Sequence, residues 1–152
     1  MAKFLDTEKT SRKIIELIQE SREFLTIVSP YVKINERLKD EIFFKKRINI
    51  NIVFGKTRMA YDEYMFLINC KNVSIIYNHD LHAKCYISEK GCILSSMNLH
   101  EYSEINNFEM SVYFDAEKDQ KMYNEIYDEV CKIVKHGEIK KMSDGAKKAF
   151  YL

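Results

Sequence analysis

Tryptophan is absent from this 152-residue chain, proline occurs once and glycine four times. So little Pro and Gly excludes collagen-like and flexible-linker sequences, and a hydrophobic fraction of 46% excludes a chain too polar to bury a core. No apolar run reaches the length of a membrane span. No secretory leader is expected, because Met1-Ala2-Lys3-Phe4-Leu5-Asp6 runs straight into charged residues. No CxxC pair occurs among Cys70, Cys85, Cys92 and Cys131, so free thiols in a reducing cytoplasm are the expectation. Nor does one charge dominate: 24 basic side chains face 23 acidic ones, a net of +1. A polyanionic partner would therefore have to be met by a local patch. Lys45-Lys46-Arg47 and the C-terminal Lys140, Lys141, Lys147 and Lys148 are the candidates, with solvated faces and helix ends as the bland alternative.

What is present reads as one compact domain over residues 1–152, with 136–152 as a tail or short helix. Ile14, Leu17 and Ile18 recur at helical spacing and predict a helix over 10–23, capped by Thr10 or Ser11. Further helices are expected over 35–46, over 59–69 with Tyr61, Tyr64, Met65 and Ile68 on one side, and over 118–135 with Met122, Ile126 and Val130 in register. Strands are expected over 24–29 (stopped by Pro30), 48–54, 73–77, 83–88, 92–96 and 108–114. Early alternation of strand and helix followed by hairpin-like pairs predicts an α/β sandwich, a mixed sheet with helices on both faces.

The chemistry is concentrated in thirty residues. His82-Ala83-Lys84 is followed by Ser95-Ser96-Met97-Asn98 and then by Glu109. On a strand, His82 and Lys84 share one face, and Ser96 and Asn98 project together at a strand end. If the strands are neighbours, an imidazole, an ammonium, a hydroxyl and a carboxamide converge, which is a site for a tetrahedral anion. Histidine can attack phosphorus or protonate a leaving oxygen near neutral pH. Glu109 is the candidate to accept the Nδ1 proton of His82 and leave Nε2 free. His79 and His82 form an HxxH spacing beside Cys85, but residues three apart on a strand face opposite sides, so no metal is expected there. Cys85 and Cys92 are expected as small core residues, and Tyr31 as the tyrosine nearest the cleft.

His82-Ala83-Lys84, Glu89, Ser95-Ser96-Met97-Asn98 and Glu109 together resemble the HxKxxxxD…GSxN…E signature of the phospholipase D superfamily. Ile27-Val28-Ser29-Pro30-Tyr31 and Leu81 agree with it, and the resemblance runs from about residue 10 to residue 135. In length and in its single motif the chain is most similar to the small bacterial Nuc-type endonucleases and their Zucchini-type relatives. It departs from them in three places. Glu89 stands where Asp is usual, Ser95 stands where Gly is usual, and the spacing between them is one residue shorter. A serine at a position needing φ > 0 would be strained.

The resemblance implies a phospholipase D-like α-β-α sandwich and a two-step displacement without metal or cofactor. His82 becomes a phosphohistidine, and a second histidine serves as acid and then base. Because the family takes both histidines from HxK motifs and this chain has one, a symmetric homodimer is implied, with Lys84, Ser96 and Asn98 of both copies around one phosphate. An in-chain acid, His79 or His100, is the alternative. The substrate implied first is DNA or RNA. A phospholipid comes second, disfavoured by the lack of an apolar amphipathic anchor, and a non-catalytic nucleic-acid-binding module third.

Overall fold

The computed structural model describes residues 1–56, 59–99 and 107–144. They form eight strands and four helices in the order β1 (Lys3–Leu5), α1 (Thr7–Glu20), β2 (Phe24–Val28), α2 (Glu36–Phe44), β3 (Asn49–Phe54), α3 (Tyr61–Asn69), β4 (Val73–Tyr77), β5 (Cys85–Ser88), β6 (Gly91–Ser95), β7 (Ser111–Asp115), α4 (Gln120–Lys135) and β8 (Glu138–Lys141). All eight strands join one sheet in the order β1-β7-β6-β5-β2-β3-β4-β8. The central β2, β3 and β4 are parallel, and the flanking pairs are antiparallel. This is the expected mixed sheet.

Side-chain alternation along the strands divides the core in two. Leu25, Ile27, Ile50, Ile52 and Ile75 face Ile14, Leu17, Ile18, Leu38, Ile42 and Leu67 of the first three helices. Val28, Val53, Ile76, Cys85, Ile87 and Cys92 face Tyr123, Ile126, Val130 and Val134 of α4. β2, β3 and β4, buried on both faces, therefore read as continuous apolar runs rather than alternating ones. Burial raises the Cys85 thiol well above its ordinary range and pushes Cys92 up to about 12, so both stay protonated core residues. All four cysteines are free.

Several expectations are corrected. α1 starts three residues early because Asp6, not Thr10 or Ser11, caps it, accepting the Lys9 amide at 2.9 Å. Thr10 faces inward, its hydroxyl donating to the Asp6 carbonyl at 2.7 Å and hydrogen-bonded to Ser111 Oγ at 2.8 Å. On α3 the buried position is Leu67, and Tyr61 is 75% exposed. On α4 Tyr123 takes the place expected of Met122, its hydroxyl donating to the Ser88 carbonyl at 2.7 Å. Within 136–152, residues 138–141 are neither tail nor helix but an edge strand antiparallel to β4. Lys147 and Lys148 lie outside the described residues.

Candidate active site

The parallel strands β2 and β3 end at the pole where β5 begins, β6 ends and β7 begins. Open α/β sheets characteristically bind ligands outside the carboxyl ends of their parallel strands. His82, Lys84, Ser96, Asn98 and Glu109 all fall on this pole. Register explains why: Val28 pairs with Cys85, Cys85 with Leu94, and Ser95 with Ser111, so the residues just past each strand are brought side by side.

His82 and Lys84 precede β5 rather than lying in it, since the strand starts at Cys85. The Lys84 carbonyl nevertheless continues the ladder by accepting the Ser95 amide at 3.2 Å. Leu81, buried, anchors the segment, its amide donating to the Asn78 carbonyl at 3.1 Å. Asn78 in turn donates to the Ile133 carbonyl at 3.0 Å, tying the segment to α4. Gly55 lets this turn approach, because a methyl there would collide with the Asn78 carbonyl. His82 is exposed and Lys84 half-buried. Among the described residues neither side chain has a hydrogen bond or ion pair, so both are free for a ligand.

The Ser96 turn is held more tightly. Tyr86 donates to the Met97 carbonyl at 2.8 Å, and Met97 and Leu99 are buried on either side of Asn98. Ser29 Oγ donates to the Tyr31 carbonyl at 2.6 Å, accepts the Leu99 amide at 3.1 Å and lies 3.5 Å from Asn98 Oδ1. Tyr31 itself is exposed at the rim. Ser96 Oγ donates to Glu109 and accepts the Met110 amide at 3.1 Å. Glu109 lies before β7, and its amide donates to Thr7 Oγ1 at 2.7 Å. The structure thus brings Glu109 to Ser96. The expected Glu109–His82 hydrogen bond is not formed within the chain among the described residues.

The departures from the family pattern acquire local explanations. Glu89 sits at the opposite end of the β5–β6 hairpin and accepts the backbone amides of Arg22, Glu23 and Phe24 at 2.7, 3.2 and 3.4 Å. It fastens the α1–β2 turn and is remote from the chemistry. Glu89→Ala should therefore cost about 1–3 kcal/mol of stability, read as a lowered Tm, with turnover per folded molecule unchanged. Ser95 is the last residue of β6, in register with Ser111, so its backbone is extended. Its hydroxyl bonds Ser111 Oγ at 2.7 Å and accepts the Met97 amide at 2.8 Å, bracing the turn that carries Ser96.

His136 is a neighbour of the His82 groove that no sequence signal marks. A shallow groove of about 410 Å³ runs between His82 and the last turn of α4, where Lys132 and His136 form the far wall. His136 Nδ1 lies 2.9 Å from the Lys132 carbonyl. Only the diagonal course of α4 across the sheet puts these residues there, and no local spacing signals it. The alternative in-chain acid His79 is exposed and paired with Asp80 at 3.1 Å. His100 lies outside the described residues. Among the described residues no three His, Cys, Asp or Glu side chains gather to hold a metal ion, and no helix is long and apolar enough to cross a membrane.

The same diagonal leaves one corner of the sheet bare. α4 covers Cys92 and Phe114 but not Leu94 and Val112, two residues closer to the site on the same face. Leu94 pairs with Val112 and Val112 with Phe4, giving an apolar row across β6, β7 and β1. Its members are 41%, 37% and 57% exposed, and Met110, beside Ser96, is 70% exposed.

Comparison with solved structures identifies the fold. Nuc from Salmonella typhimurium, a phospholipase D family member, superposes with a TM-score of 0.73 at 12% identity, over 93% of this chain and 99% of that one. NucT from Helicobacter pylori gives 0.74 at 16% identity, over 90% and 98%. Phosphatidylserine synthase from Haemophilus influenzae gives 0.69 at 13% identity, over 91% of this chain and 39% of the synthase. No protein-family model matches the sequence, and no curated protein does either. The fold is phospholipase D-like, as the sequence resemblance implied.

Proposed function

We propose that this chain, which shares the phospholipase D-like fold, is a phosphodiesterase that cleaves nucleic acid through a covalent phosphohistidine, at a site completed by a second copy of itself. The observation that carries the reading is the placement of His82, Lys84, Ser96 and Asn98 on one pole, with no hydrogen bond or ion pair to the imidazole or the ammonium among the described residues. In the first step His82 Nε2 forms a bond to phosphorus while the P–O bond to the leaving group breaks. The departing oxygen takes a proton from the equivalent histidine of the second copy. That neutral imidazole then removes a proton from water, whose oxygen attacks phosphorus and breaks the P–N bond. Lys84 balances phosphate charge, Asn98 supplies neutral hydrogen bonds, and the Glu109-held Ser96 keeps the turn in place.

Two features support the finer parts of this proposal. The bare row Phe4–Val112–Leu94 borders the site, and an apolar strip of this kind suits a two-fold, self-complementary contact. The groove at His82 is open and lined by the polar side chains of Asp80, Glu129, Lys132 and His136, which suits a polar backbone better than acyl chains. The test is nicking of plasmid and of single strands in EDTA, followed by mass analysis of peptides containing His82 after a rapid quench. Turnover without divalent ions and a phosphoryl adduct on His82 are expected. Turnover restored only by a divalent ion, or confined to phospholipid vesicles, would sink it.

A further inference from the structure

The pole opposite the active site carries a second kind of surface. α2 ends in Phe43 and Phe44, which are 50% and 78% exposed. Three turns surround them, at the amino ends of β2, β3 and β4: residues 21–23, 45–48 and 70–72. Arg22, Lys45, Lys46, Arg47 and Lys71 come from these turns, with Glu23 among them and Glu89 and Asp144 hydrogen-bonded to their backbone. Lys45 is structural, its Nζ bonded to the Gln19 and Ser21 carbonyls. Among the described residues, the side chains of Arg22, Arg47 and Lys71 have no hydrogen bond or ion pair. Two hollows flank Phe43, one of about 310 Å³ touching Lys46 and Lys71, the other of about 530 Å³ touching Arg22, Lys46 and Arg47. Asn72 holds the platform together, donating to the Lys45 and Ile48 carbonyls at 2.6 and 2.9 Å.

We propose that this pole is a peripheral docking surface for an anionic lipid bilayer, with Phe43 and Phe44 entering the interface and Arg22, Lys46, Arg47 and Lys71 meeting headgroup phosphates. Exposed phenyl rings beside long cationic stems match the two requirements of interfacial binding, apolar area and positive charge. A single-stranded polynucleotide fits the same charge less well. Stacking needs an open ring face, whereas Lys46 Nζ already lies 3.9 Å over Phe43. Phe43 and Phe44 also pack edge to face, with centroids 6.0 Å apart and planes at 76°. A polynucleotide seated here would be a full strand length, about 17 Å, from the phosphate site. Docking here leaves that site facing water. The patch is assembled from three separate turns, so it is not visible as an amphipathic segment in the sequence. The inference stands independently of what the opposite pole cleaves.

The absence of tryptophan makes the test direct, since Phe44→Trp supplies the only indole. With phosphatidylcholine–phosphatidylglycerol vesicles its emission should shift to the blue, be quenched by brominated acyl chains and return at high salt. Phosphatidylcholine alone should give a much smaller shift. In vesicle sedimentation of the full chain, Phe43→Ser with Phe44→Ser should lower partitioning roughly tenfold or more, and Arg47→Gln about fivefold. Both phenylalanines are exposed, so the fold and the turnover at His82 should be spared. No shift with anionic vesicles overturns the proposal. So does a shift produced only by a single-stranded oligonucleotide, or one that rises with protein concentration in the absence of lipid.

Discussion

His82→Ala should abolish turnover, lowering kcat by about four powers of ten or more, as removal of a covalent nucleophile does elsewhere. On the proposed mechanism the other groups of the pole hold the phosphate but cannot replace the atom that bonds to phosphorus. Alanine removes the ring from both catalytic roles at once if each copy supplies one. Stability should not change, because the side chain is exposed and has no hydrogen bond within the chain among the described residues. Steady-state nicking and a thermal melt on the same preparation separate the two effects. A loss smaller than tenfold would mean that His82 is not the nucleophile.

Introducing a charge in the bare corner should be nearly as damaging. Leu94→Glu places a carboxylate in the row Phe4–Val112–Leu94, and in a two-fold contact that residue is buried twice. Like charges brought together in an interface cost several kcal/mol, enough to convert a micromolar dimer into monomer at working concentrations. Leu94 is 41% exposed in the single chain, so the fold tolerates the change. Light scattering should give half the mass, and activity should fall toward that of His82→Ala. A monomer that keeps its turnover would show that the second copy adds nothing to the site.

The shared pole of the candidate residues was more legible than its surroundings. His82 and Lys84 just precede one strand of the β5–β6 hairpin and Ser96 just follows the other, so local spacing brings these backbone segments to one end of the sheet. The central strands were legible because burial on both faces gives uninterrupted β-branched runs. The edge strands were not. β1 is three residues long and β8 reads Glu-Ile-Lys-Lys, mostly exposed, so neither carries an apolar signal. Glu89 reads as a motif residue, yet its partners are backbone amides some 65 residues away, beyond the reach of any pattern. The hydroxyl chain Thr10–Ser111–Ser95 and the groove wall at His136 depend on how helices cross the sheet, which periodicity does not encode.

The shared site is most directly tested by a mixed dimer, one wild-type copy and one His82→Ala copy, isolated through two different affinity tags. If, as proposed, one imidazole attacks while the other protonates the leaving oxygen, the mixed dimer should be as inactive as the doubly substituted one. Half of the wild-type turnover would contradict the account, since it would mean that each copy works alone.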